Sequence, residues 1–261
     1  MNLDLSGKNA LVCGGSRGIG KAIALELALL GANITLVARN AESLSDSLTE
    51  LHRSDDQKHD FQVADFSQIE ELRPKIRTLL LNRNYHILIN NTGGPAGGAI
   101  IDAEIQEFSE AFSRHILVSQ LITQLLVPGM MSDQYGRIIN VISTSVKEPI
   151  DGLGVSNTIR GAMGNWAKSM ANELGKHGIT VNNLLPGFTD TDRLRSLITS
   201  KSKAQGISEE AVAQQMKNSV PMGRFGTPTE LGSVVAFLAS PAASYVNGIN
   251  IPVDGGRTKS L

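Results

Sequence analysis

Apolar and polar positions along this chain follow two periods in turn. Short, nearly continuous apolar runs occur at Ala10 to Val12, Asn33 to Ala38, His59 to Ala64, His86 to Asn90, Gly136 to Val141, Thr180 to Leu185 and Asn250 to Val253. Runs of this length, bounded by turn residues, predict strands buried on both faces. Between them the apolar residues recur at helical spacing, first at Ile19, Ile23, Leu27 and Leu30. Further helices are predicted from Ala41 to about Ser54, from about Ile69 to Asn82 and, as one long element, from about Ile105 to Met131. A stripe through Met163, Trp166, Ala167, Met170, Ala171 and Leu174 predicts another, spanning Ser156 to His177. Thr227-Pro228-Thr229-Glu230 reads as a capping box with proline in the first turn, so a last helix starts there. Strand and helix alternate from end to end. The pattern therefore predicts an α/β fold in which residues 1–261 form a single domain, a doubly wound, seven-stranded parallel sheet with helices on both faces. Ligands of such sheets lie at the carboxyl ends of the strands. The polar, partly helical stretch 188–226, with Asp190, Asp192, Arg193 and Arg195, adjoins one of those ends and reads as a substrate lid.

Composition narrows the function classes. Lys+Arg 24 against Asp+Glu 25 gives a formal charge of -1, so no basic field argues for nucleic acid and no polybasic run for a membrane surface. The single cysteine, Cys13, excludes an intrachain disulfide and any multi-cysteine metal site, and fits a reducing compartment. It reads as a small buried hydrophobe at a strand end. The N-terminal MNLDLSGKNA lacks a signal-peptide pattern, and no run reaches transmembrane length on this reading. A cytoplasmic protein without a metal site is expected.

The chemistry begins at the first strand-to-helix turn, CGGSRGIG, where Gly14, Gly18 and Gly20 follow G-x-x-x-G-x-G. Glycines let backbone N–H groups approach an anion closely, and the helix N-terminus behind them favours negative charge. The plainer reading is a tight connection without ligand. Ser16, Arg17 and Ile19 belong to the same turn. The second strand ends at Ala38-Arg39, where a carboxylate would hold a ribose 2′-OH and an arginine a 2′-phosphate. Arg17 and Arg39 without a carboxylate favour NADP(H) over NAD(H), the alternative being two solvated arginines.

These segments resemble the short-chain dehydrogenase/reductase family, whose nucleotide turn is T-G-x-x-x-G-x-G; Cys13 stands where its threonine stands. Asn90-Asn91-Thr92-Gly93 resembles the family's N-N-A-G, Asn182, Pro186-Gly187 and Thr191 its late motif, and Pro252-Val253-Asp254-Gly255-Gly256 the ending of members similar to 3-oxoacyl-ACP reductases. The resemblance spans essentially the whole chain. It implies a Rossmann fold that binds NADP(H) through Gly14, Ser16, Arg17, Gly18, Ile19, Gly20, Arg39, Asp65, Asn91, Gly93, Pro186, Gly187 and Thr191, with Asp65 near the adenine. It further implies a small-molecule or acyl-thioester substrate and a homo-oligomer, dimer or tetramer, built on the two long helices and the last strand.

The family transfers hydride to or from a carbonyl or alcohol carbon, using a tyrosine, a lysine four residues on, a serine and a helix asparagine. Laid on this sequence without gaps, the serine falls on Ser143, but the tyrosine on Ser156, the lysine on Arg160 and the asparagine on His115. The three tyrosines, Tyr85, Tyr135 and Tyr245, lie elsewhere. An aliphatic hydroxyl is a far weaker acid than an activated phenol, and a guanidinium does not titrate. The segment Ser145-Val146-Lys147-Glu148-Pro149 with Ser156-Asn157 and Arg160 resembles a divergent subgroup that departs from the tetrad. Three readings stand open: an oxidoreductase in which Ser143 polarises the carbonyl while His115, Lys147 or water supplies the proton; a nucleotide-binding protein without catalysis, serving as sensor or oligomer partner; and non-redox chemistry, for which no constellation is found. An unperturbed histidine titrates near neutrality, which makes His115 the leading acid on this reading; its plainer role is packing between helices.

Overall fold

A computed structural model describes residues 1–260. Seven strands, β1 (Asn9–Cys13), β2 (Asn33–Ala38), β3 (Asp60–Val63), β4 (Ile87–Asn90), β5 (Gly136–Val141), β6 (Ile179–Pro186) and β7 (Asn250–Val253), form one sheet. All pairings are parallel, in the order β3-β2-β1-β4-β5-β6-β7. The order reverses direction between β1 and β4, and the crevice where ligands bind in such sheets opens at that point.

Alternation along each strand sorts side chains onto two cores. Ala10 and Val12 of β1, with Leu36 and Ile89, face α1 (Gly18–Leu29) and α9 (Pro228–Ala239). Leu11 and Cys13, with Leu88 and Ile138, face the opposite layer of α3 (Ile69–Leu80), α5 (Val118–Ser132) and α6 (Gly154–Leu174). Cys13 is enclosed there, and burial pushes its thiol up to about 12, so it is an inert hydrophobe. Thr227 caps α9 by accepting from Glu230 N, and Glu230 returns a carboxylate to Thr227 N, the capping box read from the sequence.

Polar side chains also cross the sheet. Asn90 donates from Nδ2 to Asn140 Oδ1 at 2.8 Å, Asn140 to Asn183 Oδ1 at 2.8 Å, and Asn183 to Asn250 Oδ1 at 2.7 Å. These four residues are direct neighbours across β4, β5, β6 and β7.

Several predicted bounds move. The helix after β2, α2 (Ala41–Thr49), stops five residues short of Ser54, after Asn40 has capped its start. The long helix is three pieces: α4 (Ile105–Phe112), a π-helical turn at Ser113–Leu117, and α5. Apolar spacing alone does not reveal the five-residue turn. The sequence reading of no transmembrane-length run also needs correction: Ile105–Ser132, at 28 residues, is long and apolar enough to cross a membrane by length and composition. Val118, Leu121, Ile122 and Leu126 of that stretch are packed in the second core.

Stretch 188–226 contains α7 (Asp192–Gln205) and α8 (Glu209–Asn218). They enclose a small core of their own, Leu194, Ile198, Val212 and Met216, with Phe188 and Phe225 against it. The candidate lid is thus a packed helical pair.

Candidate functional site at the strand ends

The glycine turn is shaped by close backbone approach. Gly14 has φ +64, and a Cβ there would lie 2.3 Å from Asn91 O; at Gly20 it would lie 2.2 Å from Gly14 O. Only hydrogen fits at either position. Asn91, which follows β4, donates from Nδ2 to Gly14 O at 3.4 Å and so ties the turn to the neighbouring strand end. Ser16 O accepts from Ser47 on α2 at 3.0 Å. Arg17 precedes α1 in extended conformation, and the first turn of α1 has neither a side-chain cap nor an acidic residue, so its positive end is unopposed. At Gly18, with φ +55, an added Cβ would lie 3.5 Å from the Thr191 methyl. The turn, with Ile19 half-buried behind it, is a cradle that fits a diphosphate.

Arg17 and Arg39 are exposed, and among the described residues neither has a carboxylate within ion-pair distance. Asp65, just past β3, accepts from the Ser67 amide and hydroxyl, both at 2.9 Å. The Ser67 amide, with lesser help from its hydroxyl and the Arg39 and Arg114 charges, holds its carboxyl below the usual range against some burial.

The late-motif residues close the other side. Gly187 packs so tightly against Asp254 that a Cβ would lie 2.5 Å from its Cα, and its amide donates to Val253 O at 3.0 Å, continuing the pairing of Pro186 with Val253. Thr191 caps α7, its hydroxyl accepting from Leu194 N at 3.4 Å. Gly93 stands in open space at the start of the 93–98 loop.

His115 sits in the π-helical turn, almost wholly buried, with Nδ1 2.7 Å from the Thr92 hydroxyl and Nε2 without a partner. Burial, reinforced by the Arg160 and Arg114 charges, pushes its pKa down to about 3. This corrects the expectation of an acid titrating near neutrality: His115 is a neutral imidazole at physiological pH. It stands on the π-helical turn, a backbone feature frequent at functional sites.

Ser143 ends the run from β5 and accepts the Ser145 amide on its hydroxyl oxygen at 3.1 Å. That bond fixes the hydroxyl and leaves its O–H to donate. Ser156 is half-buried in the first turn of α6. One turn later Arg160 is 7% exposed and donates from Nη1 to Val141 O at 3.2 Å. Burial, and then the Arg193 charge, lower its pKa to about 10, so it remains a cation. Lys147 is half-buried on the turn after Ser143.

Beside these groups opens a cleft of about 480 Å³, lined by Gly98, Ile100, Ser145, Ile150, Asn157 and Thr158 among others. Gly98 and Gly152 to Gly154 exchange backbone hydrogen bonds, and the Asn157 side chain clasps Ile150, so two loops form a joint wall. Ser145 Oγ is buried without a partner.

Three residues had no role in the sequence reading. Thr92 was part of a motif match only, Ser145 part of a segment, and Arg193 one charge among several in the lid. Arg193 carried a signal, since it lies two residues after the Thr191 match, on the first turn of a helix at the strand ends.

The enoyl-(acyl carrier protein) reductase family model matches residues 14–258. The chain is 30% identical over 259 residues to the NADPH-dependent reductase BacG of Bacillus subtilis, covering 98% of this chain and 100% of that one. It is 34% identical over 256 residues to the 3-oxoacyl-(acyl-carrier-protein) reductase FabG of Vibrio cholerae, covering 97% and 98%. The crystal structure of L-sorbose reductase from Gluconobacter frateurii, complexed with NADPH and L-sorbose, superposes with a TM-score of 0.93 at 28% identity, covering 100% of each chain. With its model matched almost end to end, its sheet order and its glycine turn, the chain belongs to the short-chain dehydrogenase/reductase family.

Proposed function

We propose that this protein is an NADP(H)-dependent oxidoreductase acting on a carbonyl or alcohol carbon, with a proton route that uses neither tyrosine nor lysine. The observation that carries this reading is the Gly14–Gly20 cradle, with Arg17 and Arg39 beside it unopposed by any carboxylate at ion-pair distance among the described residues. Gly14, Gly18 and Gly20 would hold the diphosphate, Arg17 and Arg39 the 2′-phosphate, Asp65 the adenine edge, and Asn91, Gly93, Pro186, Gly187 and Thr191 the nicotinamide half. A bound NADPH supplies the hydride. The NADPH-dependent activity named for BacG and the NADPH in L-sorbose reductase support the choice of cofactor.

The chain's own residues then act on the substrate. Ser143 donates a hydrogen bond to the reacting oxygen, where negative charge grows. His115 protonates only near pH 3, so in the neutral range it positions Thr92 and does not act as an acid. Water in the cleft beside Ser145 provides the proton. The exposed Ile101, at 89%, with Ile105 and Phe112 near α4, supports association of copies into a dimer or tetramer.

A second reading, a nucleotide-binding protein without turnover, is favoured by one observation: Arg160 in place of the lysine is buried and tied to Val141 O. Titration with NADPH and NADH, then NADPH oxidation against 3-oxoacyl thioesters, diketones and aldehydes, separates the two. Turnover that is lost in Ser143→Ala supports the oxidoreductase. Binding with turnover only in Ser156→Tyr/Arg160→Lys supports the silent protein, and binding of neither nucleotide overturns both.

A further inference from the structure

Gly94 lies between two guanidinium groups. A Cβ at this position would stand 3.4 Å from Arg160 Nη2 and 3.7 Å from Arg193 Nη2. The two cations come from different elements, α6 and α7, and converge over the loop that follows β4. Each donates one hydrogen bond to a carbonyl: Arg160 Nη1 to Val141 O at 3.2 Å, and Arg193 Nη2 to Pro95 O at 3.3 Å. Among the described residues neither has a carboxylate within ion-pair distance, although Arg195, two residues on, has both Asp190 and Asp192. Two like charges, one of them buried, are a costly arrangement without a counter-charge, and a guanidinium fork is the geometry that takes a planar oxyanion. The pair also lies where a substrate would pass, because Val141 is two residues from Ser143.

We propose that Arg160 and Arg193 clamp the carboxylate of an acidic substrate, an oxo acid or the matching hydroxy acid, whose reacting carbon then faces Ser143; this rests on the oxidoreductase reading above. An anion at this place has two sources, the substrate's carboxylate and the cofactor's diphosphate. The substrate is favoured, since the diphosphate already has the Gly14–Gly20 cradle. The glycine at 94 keeps the space between the two forks open.

The test uses oxalate as the anionic probe and acetamide as its neutral control, at fixed ionic strength, with purified protein alone and saturated with NADP+. Calorimetry and thermal melting are read first. Oxalate is expected to bind saturably to both forms and raise Tm, with acetamide inert. Arg193→Met, a change at an exposed side chain, is expected to weaken oxalate at least tenfold while NADPH affinity falls less than threefold, and Arg193→Lys to restore part of it. In steady state, 2-oxohexanoate is expected to be preferred over its methyl ester at least tenfold in kcat/KM, a preference that Arg193→Met removes chiefly through KM. Oxalate affinity unchanged in Arg193→Met, no oxalate binding, or oxalate competing with NADPH would overturn the clamp, the last by assigning the pair to the cofactor. Oxalate bound through the pair in a protein that binds no nucleotide would leave the clamp standing and sink the oxidoreductase reading instead.

Discussion

The Thr92 hydroxyl and His115 Nδ1 stand 2.7 Å apart, joining the loop after β4 to the π-helical turn between α4 and α5. Burial of His115, with the Arg160 and Arg114 charges near it, makes stability pH-dependent with a definite sign. An unfolded histidine protonates near 6.5, whereas folded His115 does so only at about 3. Its contribution is therefore fully present above pH 6.5 and is lost as pH falls from there toward 3. Urea unfolding across this window should show stability declining with acid, and His115→Asn should reduce the slope by up to about 1.4 kcal/mol per pH unit. Burial lowers the pKa of His59 and His86 too, so part of the decline should survive in the variant. Parallel curves for the two proteins would refute the assignment.

Gly20→Ala should abolish measurable NADPH binding, because the new Cβ meets Gly14 O at 2.2 Å and Asn91 Nδ2 at 2.6 Å and forces the turn open. The fluorescence titration that detects binding in the parent should be flat in the variant. A melting curve run alongside should still show a cooperative transition, at lower temperature.

Arg39→Ala and Arg17→Ala should each weaken NADPH by about tenfold to a hundredfold, the worth of one charge-assisted hydrogen bond to phosphate, with a much smaller effect on NADH. Equal losses for both nucleotides would mean that the arginines do not read the 2′-phosphate.

Ser143→Ala should lower kcat by about a hundredfold or more on any substrate the protein turns over, as removal of one donor to a growing oxyanion does. KM should change far less. A variant with undiminished kcat would move the oxyanion contact to another donor, and Ser145, two residues on and buried without a partner for its hydroxyl, is the candidate.

The sheet was legible because its strands are apolar runs of the right length, and the glycine turn because only glycine fits where backbones touch. The chemistry at the site was less so. His115 was identified by position, yet its neutral state follows from burial and from the Arg160 and Arg114 charges, which sequence spacing does not carry. The convergence of Arg160 and Arg193 joins residues from separate helices through a loop glycine, a relation that exists only after folding. Likewise Asn90, matched with Asn91 to the family's N-N-A-G, directs its amide sideways to Asn140, and Asn91 alone reaches the turn. Asn183 of β6 passed as a member of an apolar run because its side-chain partners lie on β5 and β7.

Asn140→Leu should cost about 2 to 5 kcal/mol in chemical unfolding, since it strands the Asn90 donor and the Asn183 acceptor in a buried site. A loss of under 1 kcal/mol would show that water replaces the missing amide.

The three side-chain bonds along β4 to β7 all run one way, Asn90, Asn140 and Asn183 each giving an N–H to the next oxygen. Neither inner amide, Asn140 or Asn183, reverses without leaving donor facing donor on one side and acceptor facing acceptor on the other, so the row behaves as one arrow with a head and a tail. The arrow is also a vernier. If any of the three pairings slips by a single residue, the period of two along a strand throws its amide to the opposite face, among apolar side chains. Four otherwise interchangeable apolar strands thereby have one alignment in which every amide is satisfied. The loops that carry Thr92, Ser143 and Gly187 leave from the ends of those same strands, and their relative heights above the sheet are set by that alignment.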